Sequence, residues 1–303
     1  MSHNTPINYI FIEGPDCSGK TTLYDMIHKE SGYKWNIQDR SALSMLIHAR
    51  YYNRDTFNHI EQLKQELHNI NNHLIISLPE WRVIVDRFQK RGDPIQNINS
   101  LRKLYDLFAE AAEEFENYAN VSIIRKEVDE FLVKELVEYF NCFERHSLVD
   151  LQSYAAQTVA ASGKKEVLGI NFVHYDSGDF ADVNEMMLTY DKEKEYYKKI
   201  EKSVFDKIKA EMRGENEYGR KEGLESRRYI YTDNSCISLA HFLIRDGHMD
   251  AKFFLRSSNV KETLRYDLNF IKHLAAEVFR YFKCDRQGDY CKIEIVINST
   301  HVI

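Results

Sequence analysis

The 303-residue chain predicts an α/β domain, built on a parallel sheet with helices on both faces, followed by a smaller α+β domain. Three observations carry this prediction. Short apolar, β-branched runs alternate with helical patterns through the first half of the chain. The alternation gives out near residue 146. All four prolines (Pro6, Pro15, Pro79 and Pro94) lie before that point. Strands that alternate with helices build parallel sheets, so the division expected is 1–146 and 147–303.

Each element follows from its local pattern. Ile7 to Glu13 reads as a buried strand broken at Gly14, and a helical pattern runs from Lys20 to Lys29. Tyr33 to Ile37 reads as a second short strand. Helical periodicity covers Ala42 to Tyr52 and Asn58 to His68, His73 to Leu78 is a buried strand, and Trp81 to Arg91 is a helix after Pro79. Ser100 to Tyr118 is an amphipathic helix, Val121 to Ile124 a strand and Val128 to Phe140 a helix. Beyond the boundary, Ser153 to Ser162 reads as helix and Val167 to His174 as strand. Residues 184–213 form a long charged helix whose lysines and glutamates make a solvated face. Strand character returns at Arg228 to Tyr231, Cys236 to Arg245 and Asp250 to Leu255. An apolar helix, Leu268 to Tyr281, and a last strand, Ile293 to Ile297, complete the chain.

Composition excludes several classes. With 43% hydrophobic and 13% aromatic residues, the chain can fill packed cores and is not disordered. A net charge of -6 argues against an electrostatic nucleic-acid binder. No apolar run approaches the roughly 18 residues of a membrane span, and Met1 to Pro6 has neither the basic start nor the apolar run of a signal peptide. The five cysteines are scattered without metal-ligand or disulfide spacing. A cytoplasmic, reducing setting with no membrane partner is therefore expected.

Gly14-Pro15-Asp16-Cys17-Ser18-Gly19-Lys20-Thr21-Thr22 fits the Walker A pattern between a strand and a helix. Its glycines let the backbone curl so that N–H groups converge on phosphate oxygens, and the helix start adds a positive dipole end. Lys20 brings a mobile charge to the transferring phosphate of ATP, and the Thr21 hydroxyl can bind Mg²⁺. Asp16 places an acid inside the loop, close to a sugar hydroxyl or metal. Asp39-Arg40 follows the second strand and should lie at the carboxyl edge of the sheet, where ligands of open α/β folds bind. There an Asp can order Mg²⁺ or the attacking group, and an Arg can clamp a phosphate; a solvated ion pair is the plain alternative. Arg87 and Arg91, four apart, share one helical face and end at Gly92-Asp93, as a lid closing on transferring charge would.

Over roughly residues 7–140 these motifs resemble the thymidylate kinase-like nucleotide kinases. The resemblance implies that Lys20, Arg87 and Arg91 serve the ATP phosphates while Asp16 and Arg40 touch the acceptor nucleotide. Asp39 comes only 19 residues after Lys20, sooner than in that family, which shortens the segment covering the substrate.

A second group surrounds Cys236. Ser226-Arg227-Arg228 lies upstream and Arg256-Ser257-Ser258-Asn259 downstream. Three arginines near a thiol would favour the thiolate and form a phosphate site; a buried structural thiol is the plain alternative. From about 224 to 303 this order of motifs is similar to thymidylate synthase and the deoxycytidylate hydroxymethylases. That resemblance implies a nucleophilic Cys236 adding to C6 of a pyrimidine, with a folate one-carbon donor. Arg256 and Ser257 would hold the nucleotide phosphate, and His301 the sugar. Arg227 and Arg228 would reach across a homodimer interface. Asp267 stands where uracil-using members carry Asn, which points to a cytosine-type amino edge; an Asp near a helix start is the plain alternative. Ser235, Ile237 and Ile303 replace the family's Pro, His and Tyr.

The reading that results is ATP-dependent phosphoryl transfer to a pyrimidine deoxynucleotide, fused to a domain that binds or C5-modifies a pyrimidine nucleotide. Two alternatives stand beside it. One is a kinase for hydroxymethylated pyrimidine, free or in DNA; the other is a non-catalytic nucleotide-binding regulator.

Overall fold

The structure, a computed structural model, describes residues 3–92, 97–176, 191–284 and 289–302. Asp93 and Pro94, the start of the predicted 184–213 helix, and Ile303 lie outside the described residues. In chain order the elements are β1 (His3–Asn4), β2 (Tyr9–Glu13), α1 (Lys20–Ser31), β3 (Ile37–Gln38), α2 (Ala42–Tyr51), α3 (Phe57–His68), β4 (Asn72–Ser77), α4 (Trp81–Arg91) and α5 (Ile98–Phe115). They continue with β5 (Val121–Ile124), α6 (Glu130–Glu144), α7 (Leu151–Ala161), β6 (Glu166–Asp176), α8 (Asp191–Arg213), β7 (Ile230–Thr232), β8 (Ile237–Arg245), β9 (His248–Asn259), α9 (Leu264–Tyr281) and β10 (Cys291–His301). The chain divides into two units, Ile7–Glu144 and a second made of Met1–Pro6 with Arg145–Ile303.

In the first unit four parallel strands lie in the order β3-β2-β4-β5. β4 is buried at all six positions, as expected of a strand covered on both faces. Alternation sorts the neighbours. Ile10, Ile12 and Ile75 join Leu23 and Ile27 of α1 and Leu132, Val133 and Phe140 of α6 in one core. Phe11 and Leu74 point the other way, toward Leu63 and Leu67 of α3. Strand order reverses between β2 and β4, so the crevice for a ligand opens beyond their carboxyl ends.

Two boundaries differ from the sequence expectation for local reasons. The strand expected from Tyr33 shrinks to Ile37–Gln38 because Gly32 and Tyr33 are left-handed (φ 65° and 61°) and finish α1. Their N–H groups bond back to Lys29 and His28 carbonyls, at 3.3 and 2.8 Å. The last helix of this unit starts later because Asp129 accepts from Leu132 N at 2.8 Å and so caps it.

The second unit holds a six-stranded mixed sheet, β1-β6-β10-β9-β8-β7. β9 and β10 run parallel, which requires a crossover. α9 makes it, with Leu268, Ile271, Leu274, Ala275 and Phe279 buried. β8 and β9 form a hairpin across Asp246-Gly247, where φ is 50° and 84°, the turn that matches strand twist. A Cβ on Gly247 would sit 2.6 Å from Asp289 Oδ1. The N-terminal segment, expected with the first domain, adds β1 to the edge of β6. Thr5 there is buried and donates to His146 O at 2.6 Å.

Phe140 is fully buried and meets the rings of Trp35 and His73 edge-on at 5.3 Å each. Phe140→Ala should destabilise the first unit by about 3–5 kcal/mol. Urea unfolding followed by Trp35 fluorescence checks this.

Candidate functional site

The phosphate-type loop is shaped by conformations few residues tolerate. Gly14 has φ 141° and lies so close to β4 that a Cβ would come within 2.2 Å of Ser77 O. Cys17 is left-handed at φ 64°, and Gly19 at φ 97° opens α1. Ser77 Oγ donates to Ser18 O at 2.9 Å and ties the loop to the end of β4. The first-turn amides of Lys20, Thr21 and Thr22 have no intrahelical acceptor and point out of the helix start. Ser18 Oγ is buried without a hydrogen-bond partner. A curled backbone of this kind, with hydroxyls and amides turned inward, is a cradle for anionic oxygens.

Lys20 Nζ donates to the carbonyls of Gly14 and Pro15, each at 2.8 Å. Burial lowers its pKa against the opposing pull of Asp16, Glu13 and Asp39. Asp16, Thr21 and Thr22 are exposed at the rim. Asp39 and Arg40, also exposed, follow β3 and act on Lys20 through their charges, so the carboxyl edges of β2 and β3 converge on one ammonium group. Arg87 of α4 bends over the loop: its Nη1 donates to Cys17 O at 3.3 Å, and its Nη2 pairs with Glu127 at 2.9 Å. Arg91, one turn on, is exposed at the end of α4.

Sequence reasoning passed over Glu13. Its side chain is fully buried and accepts four bonds from the start of α2. Ser41 N and Oγ reach Oε1 at 2.6 and 2.9 Å, Ser44 N reaches it at 3.1 Å, and Ser44 Oγ reaches Oε2 at 2.5 Å. Charge-assisted bonds of this kind are among the stronger ones in proteins. They fix Asp39-Arg40 beside the loop. The sequence signal was a lone acid ending an apolar strand.

In the second unit the residues around Cys236 sort differently from their order in sequence. Cys236 Sγ donates to Ser257 O at 2.6 Å and lies 3.9 Å from Asp267 Oδ2. Asp267 is buried in the first turn of α9 and accepts from Tyr197 Oη at 3.0 Å and Ser258 Oγ at 2.9 Å. Tyr196 Oη accepts from Ile237 N at 3.0 Å, and burial raises the pKa of this phenol. The charged helix read as a solvated face thus brings one tyrosine to Ile237, the residue after the cysteine, and another to Asp267, contacts no local pattern announces.

The three arginines make other contacts. Arg228 pairs with Glu222 at 2.9 Å and lies 4.1 Å over the Tyr218 ring. Arg256 Nη1 donates to Asn234 O at 3.0 Å, and Arg227 is exposed. His301 lines a separate cavity with Val260 and Lys261. The Cys236 sulfur is thus a hydrogen-bond donor, with a carbonyl and a carboxylate oxygen as acceptors.

No family model and no curated protein matches the chain. Among solved structures it is similar to deoxyadenosine kinase from M. mycoides with bound dCTP, at 17% identity and a TM-score of 0.34, over 43% of this chain and 97% of that one. It is also similar to thymidylate synthase from T4 phage, at 17% identity and a TM-score of 0.24, over 31% of this chain; it spans 34% of that enzyme's length.

Two outcomes test this geometry. Glu13→Ala should cost the first unit about 3–5 kcal/mol, because it strands the donors of α2 in a buried site; thermal unfolding reads it. Asp267→Asn should speed iodoacetamide labelling of Cys236 at neutral pH by about tenfold or more, since a neighbouring carboxylate opposes the thiolate. Peptide mass mapping separates Cys236 from the other thiols.

Proposed function

We propose that the Ile7–Glu144 unit transfers the γ-phosphoryl group of ATP to a pyrimidine deoxynucleotide. One observation carries the reading: Lys20, Arg87 and the Asp39-Arg40 pair meet at a loop whose Gly14 leaves no room for a side chain and whose Gly19 holds φ 97°. In this reading the Lys20 ammonium leaves the Gly14 and Pro15 carbonyls for phosphate oxygens. Arg87 already lies over the loop and needs only to exchange Glu127 or Cys17 O for a phosphate. An acceptor oxygen attacks the γ-phosphorus while the bond to the β-bridging oxygen breaks, and ADP leaves with the electron pair. Positioning and neutralised charge carry such a reaction.

The donor set suits Mg²⁺. Thr21 and the carboxylates of Asp16 and Asp39 offer the hard oxygen ligands this ion prefers. Among the described residues no group of three or more His, Cys, Asp or Glu could hold a metal alone, so the ion would be held jointly with nucleotide phosphates. Its chemistry would be to offset charge on the β- and γ-oxygens. Arg40, exposed beside Asp39, is the residue assigned to the acceptor's phosphate, with Asp16 at its sugar.

The second unit is read as a pyrimidine-nucleotide site, with Arg256 and Ser257 for the phosphate, Asp267 for the base and a second copy of the chain meeting Arg227. The hydrogen-bonded thiol of Cys236 favours recognition over C5 chemistry, and no step is assigned to a one-carbon donor. A base carrying a hydroxymethyl group is the second acceptor considered, because a kinase unit and a C5-modifying type of fold share one chain.

Lys20→Ala should lower phosphoryl transfer by at least about 10²-fold with an unchanged melting temperature. Labelled ATP offered with dCMP, dTMP, hydroxymethylated monophosphates and hydroxymethylated DNA reads both activity and acceptor. Full transfer by Lys20→Ala would sink the proposal.

A further inference from the structure

The second unit contains a cavity of about 780 Å³ away from Cys236, at the junction of α7, the β9–α9 turn and the end of β10. Its size lies within the range of about 300–1,000 Å³ common to small-molecule sites. The wall is apolar, made by Ala156, Val159 and Ala160 of α7 with Val260 and Val302. Ala156 and Ala160 are one helical turn apart, so they share a face, and their methyl groups leave it flat enough for a ring to lie on.

The rim carries charge of one sign. Lys164 and Lys165 come from the α7–β6 loop and Lys261 from the β9–α9 turn, with His301 at the end of β10. All three lysines are exposed, and among the described residues none has a carboxylate partner. The one acid of the lining, Glu166, is bonded to Ser299 Oγ. The frame is fixed from behind, by Val302 N to Lys165 O at 2.9 Å and Gln152 Nε2 to Val260 O at 2.5 Å.

We propose that this cavity binds an amphipathic anion: a flat apolar body held on the α7 wall, with a phosphate or carboxylate reaching the lysine rim. Apolar burial supplies affinity there, and the unpaired ammonium groups select the charge. The site is independent of the kinase reading and of Cys236.

The probe is 2-naphthyl phosphate, titrated calorimetrically into the full chain without nucleotide, the filling variants separating this cavity from the Gly14–Thr21 loop. It should bind at least about tenfold tighter than 2-naphthol or inorganic phosphate, because both halves of the ligand contribute. Ala160→Trp should lower its affinity about tenfold or more by filling the cavity, with Ala156→Phe as a second filling variant should the first fail to fold. Lys164→Glu/Lys165→Glu/Lys261→Glu should remove the advantage of the phosphate and leave 2-naphthol binding unchanged. Naphthyl phosphate binding no tighter than inorganic phosphate, or binding untouched in a folded filling variant, overturns the proposal.

Discussion

A buried carboxylate organises the first unit. Glu13 ends β2 without any exposure, a position that a charge holds only when it is fully hydrogen-bonded. Its four partners all lie in the first turn of α2 or at its cap. That requirement draws the chain leaving β3 across to β2 and places Asp39 and Arg40 within the field of Lys20. Ser77 does the same for β4 by bonding to the loop itself. The ends of three parallel strands are thereby joined by side chains, beyond the point where sheet hydrogen bonding stops. The loop's awkward backbone, with Cys17 and two glycines at positive φ, rests on those ties.

Much of this architecture was legible before any coordinates. β4 announces itself by the apolar triplet Leu74-Ile75-Ile76, α4 by its bounds between Pro79 and Gly92, and the Walker A loop by its residues. These signals are local: side-chain period, turn chemistry and helix stops act within a few residues of one another. What stayed hidden is long-range. Glu13 meets Ser41 and Ser44 across some thirty residues of chain, and Tyr197 meets Asp267 across 70. A two-residue strand such as β1 carries no period at all.

The surroundings of Cys236 show how adjacency in sequence misleads on a sheet. Arg256 lies next to Ser257 on β9, yet nearness in sequence does not bring its guanidinium to the thiol. The guanidinium turns to Asn234 while the next residue's carbonyl takes the thiol proton. Electrostatic influence depends on where each guanidinium is bonded, so a cluster of cations written around a cysteine does not by itself create a thiolate. The same sheet gives α8 its unexpected part. A helix whose composition is mostly charge presents Tyr197 to a buried carboxylate and stacks its ring 4.5 Å from Phe270.

The pairing of His3–Asn4 with β6 has a topological consequence. Since β1 belongs to the second unit and α7 resumes it, the whole of Ile7–Glu144 is an insertion between two neighbouring points of another fold. Those points are held together inside the host by the Thr5 hydroxyl on the His146 carbonyl. A host interrupted this way cannot finish its sheet until the guest and the final strand have both been synthesised. The guest, for its part, leaves and re-enters through a single stem, as an excisable cassette would.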